Sequence, residues 1–236
     1  LDSCEPPLRI VLIDDHLLVV DKPSGMPSVP ARTPLDPPSV ARVLAADHGP
    51  LEAAHRLDRD TSGLLVLART PAARAALGRA FESRAVSKTY LALVHGRPPT
   101  DEGVIHLPLA DDPWLPPRKR IDPILGRRAT TRWRMLAVQA TNGGGRQALL
   151  ELEPVTGRSH QLRAHLAWLG CPIAGDRLYG RHGGADCRRL ALHAAAVAFP
   201  HPADGRSVCL ASPPLGPPWD RFGIPGGQAP DRVGSG

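Results

Sequence analysis

The densest run of ionisable side chains ahead of an apolar segment is His55-Arg56-Leu57-Asp58-Arg59-Asp60-Thr61-Ser62-Gly63, which leads into Leu64-Leu65-Val66-Leu67. Asp58 lies between two arginines, and each cation favours the charged form of its carboxyl. An ionised carboxylate near a strand end can serve as a nucleophile. The same composition describes a solvated loop with surface ion pairs, and on the residues alone both readings stand. A second concentration of charge is Arg118-Lys119-Arg120 and Arg127-Arg128, followed by Arg132 and Arg134. On one face these cations would seat a polyanion through phosphate contacts; dispersed, they are an ordinary solvated surface. His160 and His165 are five residues apart, about 140° around a helix axis, so they do not share a face. No carboxylate completes a pattern such as H-E-x-x-H, and no metal is expected.

The elements that must position these groups follow from apolar runs and their punctuation. Ile10–Ile13 and Leu17–Val20 flank Asp14-Asp15-His16 and predict a hairpin. Ser39–Asp47 predicts a helix stopped by Gly49-Pro50, and Thr70-Pro71 opens another that runs to about Arg84. Leu64–Leu67 and Lys88–Val94 predict strands, and Asn142-Gly143-Gly144-Gly145 predicts the turn joining strands Thr130–Val138 and Gln147–Leu152. His160–Leu169 predicts a short helix, and Leu190–Phe199 with Ser207–Ala211 a last hairpin. Hairpins dominate and regular strand–helix–strand alternation is missing. The expected class is therefore α+β, a mostly antiparallel mixed sheet with flanking helices and loops. The Pro-rich stretches 23–38 and 98–123 are expected to be loops within the domain. The tail 212–236, with six prolines and six glycines, is expected to be flexible.

Composition narrows the classes further. The 236 residues carry a formal charge of +6 and are 42% hydrophobic, enough for a core without metal or disulfide staples. Of the 29 cationic side chains only Lys22, Lys88 and Lys119 are lysines, leaving 26 arginines, the side chain suited to forked phosphate contacts and base stacking. A GC-rich genome would write the same bias. No apolar run reaches the length of a membrane span, and Leu1–Pro6 has no signal-peptide pattern. Four cysteines without a C-x-x-C pair fit reduced thiols and a cytoplasmic location. No Walker loop or G-x-G-x-x-G is present, and no cofactor is expected.

The stretch His55-Arg56-Leu57-Asp58-x-x-Thr61-Ser62-Gly63-Leu64-Leu65 resembles the signature of the RluA family of RNA pseudouridine synthases. Further blocks keep the family's order: Asp21-Lys22-Pro23-Ser24-Gly25, Lys88-Thr89-Tyr90-Leu91-Ala92, Gly157-Arg158-Ser159-His160-Gln161-Leu162-Arg163-x-His165, Gly175-Asp176-x-x-Tyr179-Gly180, Leu192-His193-Ala194 and His201-Pro202. They span roughly residues 10 to 211. The resemblance implies an N-terminal extension (1–9), a pseudouridine synthase catalytic domain (10–211) and a tail (212–236), a short form with no S4-type RNA-binding domain ahead of Asp21.

It also implies roles. Asp58 would be the catalytic carboxylate, and Arg163 the arginine that pairs with it. Tyr90 would stack on the target uracil, with a core residue of a strand as the competing reading. The target uridine of a structured rRNA or tRNA would have to leave its stack, at a cost of a few kcal/mol. Arg56 would fill the gap or contact phosphate. His55, Lys22, Arg118, Lys119, Arg120, Arg127 and Arg128 are assigned to RNA contact, His55 with a structural hydrogen-bonding role as its competing reading. Nothing demands more than a monomer, and no membrane partner is expected. Three other readings remain open: an inactive RNA-binding module, a small-subunit-rRNA-type synthase, whose usual pattern lacks a histidine equivalent to His55, and a glycosidase. The last needs a second carboxylate, and only Asp60 is near in sequence.

Overall fold

Turn chemistry starts the fold: Asp14 Oδ1 accepts the backbone N–H groups of His16 (2.8 Å) and Leu17 (3.0 Å). That carboxylate folds β1 (Arg9–Ile13) back onto β2 (Leu17–Lys22) in an antiparallel pair. The structure, a computed structural model, describes residues 7–30, 37–141, 144–180 and 187–223. Asn142-Gly143 of the expected turn and the tail beyond Gly223 lie outside the described residues.

The chain forms two compact units. One contains Leu1–Lys88 and Ala194–Pro217. Its strand order is β1, β2, β4 (Ser62–Ala68), β11 (Leu192–Pro200), with β3 (Glu52–Ala53) against β4 and β12 (Ser207–Ala211) against β11. All seven residues of β4 are buried, as an apolar run without alternation requires. Ser39 and Thr70 cap α1 (Val40–His48) and α2 (Pro71–Glu82), each accepting a backbone N–H with its side-chain oxygen. On α2, Ala73, Leu77 and Ala80 share a face; Ala73 and Leu77 join Leu17, Val19, Leu64, Val66 and Phe199 in the core. Burying a side chain such as Leu77 stabilises by about 2 kcal/mol.

The second unit contains Thr89–His193 and Pro218–Gly223. Its antiparallel strands run in the order β5 (Ser87–His95), β10 (Arg146–Pro154), β9 (Thr130–Ala140), β6 (Glu102–His106). A separate antiparallel pair, β7 (Leu109–Asp111) and β8 (Lys119–Ile121), and helix α3 (Gln161–Trp168) complete it. The proline-rich stretch 98–123 thus holds three short strands. β7 and β8, three residues each, are below the length that alternation can reveal.

The tail differs from expectation. Ser212 is fully buried and accepts a hydrogen bond from Arg9 at 2.8 Å. Trp219 is buried at the start of a 3-10 turn (Trp219–Phe222), and Gln139 Nε2 donates to the Arg221 carbonyl at 2.7 Å. Proline and glycine content described backbone freedom but not the single indole that anchors the segment.

Candidate active site

Asp58 lies in the loop between β3 and β4, and hydrogen bonds to backbone groups hold that loop. Thr61 N–H donates to the Asp58 carbonyl (3.1 Å) and closes the turn. Leu57 N–H donates to Ser28 Oγ (3.0 Å), whose hydroxyl donates back to the Leu57 carbonyl (2.9 Å). Ser24 Oγ donates to the Asp60 carbonyl (2.7 Å), and Gly25 N–H to the Arg59 carbonyl (2.9 Å). Segment 22–28 is therefore a splint for the carboxylate-bearing loop.

Lys22 is the keystone of that splint. Its Nζ donates to the carbonyls of Pro23 (2.9 Å), Met26 (2.8 Å) and Arg59 (2.9 Å), and the side chain is fully buried. A buried ammonium is tolerable only where its donors are satisfied, and three carbonyl dipoles do that here. The expected RNA contact at Lys22 is corrected: no phosphate reaches a side chain with 0% exposure.

His55 also turns inward. Val66 N–H donates to His55 Nε2 at 3.2 Å, which places the ring proton on Nδ1. The ring packs 5.1 Å from Phe81, and burial, reinforced by the Lys88 charge, lowers its pKa to about 3. It is a neutral acceptor that braces the loop against β4, so the structural reading holds and a cationic RNA contact does not. Arg56 is exposed, and Arg59 directs its guanidinium to Asp60 at 3.3 Å.

Gly63 explains the glycine that closes this stretch. Its φ is +107°, and a Cβ there would fall 2.3 Å from the Ala194 carbonyl oxygen. Only glycine lets the β11 backbone come this close.

In the second unit Tyr90 is buried on β5, opposite Leu152 of β10. Arg163, 4% exposed, forms a fork with Asp176: Nε to Oδ2 and a terminal nitrogen to Oδ1, both 2.8 Å. Asp176 Oδ1 also accepts the N–H groups of Leu178 (2.9 Å) and Tyr179 (3.0 Å). Tyr179 completes the cluster. Its hydroxyl accepts Lys119 N–H at 2.6 Å and meets His160 Nδ1 at 3.1 Å, while the Arg163 and Arg118 guanidinium carbons lie 5.3 and 5.1 Å from its ring centre. Burial pushes the Tyr179 phenol above its usual pKa. His160 takes the left-handed conformation at the start of α3 (φ 55°), a strained arrangement the cluster holds in place. His165 is buried, bonded to Thr131 Oγ1 and the Leu107 carbonyl, both at 2.9 Å.

The basic residues are not one open patch. Lys119 pairs with Asp111, Arg120 with Asp122 (2.7 Å), Arg132 with Glu153 (3.4 Å) and Arg134 with Glu151 (2.9 Å). The last two pairs face each other across the β9–β10 register. Among the described residues Arg127 and Arg128 are exposed and make no ion pair.

Residues 16–168 match the family model described as RNA pseudouridylate synthase. The chain is 41% identical over 210 residues to the Dual-specificity RNA pseudouridine synthase RluA of Escherichia coli (strain K12), covering 89% of this chain and 94% of that protein. It is 42% identical over 206 residues to the protein of the same name from Haemophilus influenzae, covering 86% and 92%. The chain belongs to the RluA family of RNA pseudouridine synthases. Among solved structures, Human RNA Pseudouridylate Synthase Domain Containing 1 superposes with a TM-score of 0.75 at 29% identity, over 91% of this chain and 87% of that one. The α+β class expected from the hairpins is that of this fold neighbour.

For this RluA-family synthase, motif reading missed the partners. Asp176 and Tyr179 stood in a quoted block without a role. The available signal was general: an arginine between Leu162 and Ala164 on a short helix needs an anion if it is buried, and Asp176 is the acidic residue of the block that follows.

Proposed function

We propose that this RNA pseudouridine synthase isomerises specific uridines in structured rRNA or tRNA, with Asp58 as the reacting carboxylate and the target base flipped from its stack. The observation that carries this reading is the splint around Asp58, in which Lys22, Ser24, Ser28 and Gly25 hold the loop backbone on both sides of the residue. A turn held this firmly costs little further ordering when substrate arrives, which is what positioning a reacting group requires.

The isomerisation breaks the bond between C1′ and N1 and joins C1′ to C5. A proton leaves C5 and one is gained at N1, so electrons balance without a redox cofactor. Asp58 can enter by attacking the sugar, attacking the base or taking a sugar proton, and every route begins with an ionised, aimed carboxylate. We assign Arg163 to aiming Asp58, with Asp176 fixing the guanidinium plane through its fork. Tyr90 is assigned to the target uracil, Arg56 to the space the flipped base leaves, and Arg127 and Arg128 to phosphate. The enzyme is assigned to the cytoplasm, as a monomer. Among the described residues no helix is long and apolar enough to cross a membrane.

The test is tritium release from [5-³H]uridine-labelled rRNA and tRNA. Wild-type protein releases tritium, and Asp58→Ala and Asp58→Asn reduce release to background with an unchanged melting temperature. Full activity in Asp58→Ala would remove Asp58 from the mechanism. Pseudouridine mapping in cells with and without the protein then names the target.

A further inference from the structure

The three most exposed large apolar side chains among the described residues lie together in sequence around one short hairpin. Ile124 is 89% exposed, Trp114 84% and Leu125 75%, and Leu115, next to Trp114 in sequence, is 53% exposed. They occupy the loops at the two ends of β8, which is only three residues long. Scattered apolar exposure is normal on a protein surface, but it does not usually come with a scaffold. Here each pair sits on a built turn. Asp112 Oδ1 accepts the N–H groups of Trp114 (3.1 Å) and Leu115 (3.3 Å), and Asp122 Oδ1 those of Ile124 (3.0 Å) and Leu125 (2.9 Å). The first loop is closed by Arg118 N–H on the Leu115 carbonyl (2.9 Å) and Asp112 N–H on the Arg118 carbonyl (3.0 Å). Pro113, Pro116, Pro117 and Pro123 remove backbone freedom at the same turns.

The charge around these turns selects the partner. Arg127 and Arg128 follow the second turn, exposed and without an ion pair among the described residues. Asp112 and Asp122, the only acids in the turns, spend their oxygens on backbone N–H groups, and Asp122 also on Arg120 at 2.7 Å. Two apolar pairs separated by cations do not make the continuous apolar patch that a second protein would cover. They match a strand of nucleic acid, which alternates phosphate charge with flat base faces.

We propose that Trp114 is a stacking platform for an unpaired nucleotide of the substrate RNA, with Leu115 beside it and Ile124-Leu125 as a second apolar contact. This rests on the reading that Arg127 and Arg128 seat RNA on the same hairpin. The turn fixes the backbone from which the indole projects before RNA arrives, so part of the ordering cost of the contact is already met. Trp114 and Leu115 are not among the residues assigned to the chemistry, so the contact acts on which RNA binds and how tightly.

The experiment uses the full chain and the unmodified tRNA or rRNA transcript that gives the largest tritium release with wild type. Trp114→Leu keeps apolar area and removes the aromatic face. It should raise KM and the dissociation constant about tenfold with kcat unchanged, while Trp114→Phe recovers most of the affinity. Adding that transcript should quench wild-type tryptophan emission more than that of Trp114→Phe. Equal KM and equal affinity in Trp114→Leu and active wild type would overturn the stacking role and leave the enzyme reading intact. A concentration-dependent dimer that Trp114→Leu abolishes would overturn it in favour of a second copy of this chain. Wild-type protein that neither binds nor modifies any transcript would overturn both readings.

Discussion

Two residues that brace the Asp58 loop carry charge arguments that run against their surface appearance. Lys22 and His55 belong to motifs that read as cationic, yet one is a buried ammonium on three carbonyls and the other a neutral acceptor for Val66 N–H. The histidine makes stability depend on pH in a defined direction. Its pKa in the fold is about 3, against 6.5 in the unfolded chain, so between those values the unfolded state binds the extra proton. Stability is therefore full above pH 6.5 and falls as pH drops toward 3. At pH 5 the loss from His55 is about 2 kcal/mol. Urea denaturation at pH 7.5 and pH 5 should show the wild type weakening between the two. His55→Gln should weaken by less, the remainder coming from groups such as His165, whose pKa burial also lowers. An equal acid loss in His55→Gln would remove this residue from the account.

At the scale of elements, the junction of the Asp58 loop with β4 is where backbone proximity decides the residue. The β11 backbone leaves no room for a side chain at position 63, and the φ of +107° disfavours one as well. Gly63→Ala should cost about 3 kcal/mol or more, since neither the Ala194 carbonyl nor the paired strand is a flexible tip that can swing away. Thermal melting would measure that loss, and tritium release by any folded fraction would fall with it because Asp58 and β4 share this hinge. An unaltered melting temperature would contradict the close approach. Much of this was legible from sequence: both capped helices and the strands at Ser62–Ala68 and Ser87–His95 appear within a residue or two of their expected ends. β6, β7 and β8 were not: β7 and β8 are only three residues long, too short for a periodic signal, and the five residues of β6 lie in a proline-rich stretch that reads as loop.

For the whole molecule, a charge of +6 says less than where carboxylates stand against the cations. Lys119, Arg120, Arg132 and Arg134 are each answered by an acid, and surface pairs of this kind contribute little to an external field. Arg127 and Arg128 make no ion pair among the described residues, although the charge of Arg127 reaches the Asp111 carboxyl, so the salt dependence of RNA binding should rest on them disproportionately. In a plot of log affinity against log salt, Arg127→Ala with Arg128→Ala should make the slope shallower by about 1.5, at roughly 0.7 to 0.9 per phosphate contact. Arg132→Ala with Arg134→Ala should change it much less. The reverse order would place the phosphate track along β9.

The resemblance carried by motifs in the family's order indicated the family and, through it, the reaction class; an aspartate between arginines ahead of an apolar run left a solvated loop equally open. Helix caps and hairpin turns were equally readable, because their signals are local and involve side chains a few residues apart. Only the tertiary structure decided which charges face water. Lys22 meets the carbonyl of Arg59, Arg163 meets Asp176 and Tyr179 meets Lys119 across 37, 13 and 60 residues of sequence, and whether an ammonium meets a carbonyl or a phosphate depends on burial that no motif encodes. Desolvation supplies the reason. A cation taken out of water must find its acceptors within the fold, and an arginine left in water with no carboxylate beside it keeps its field for a ligand.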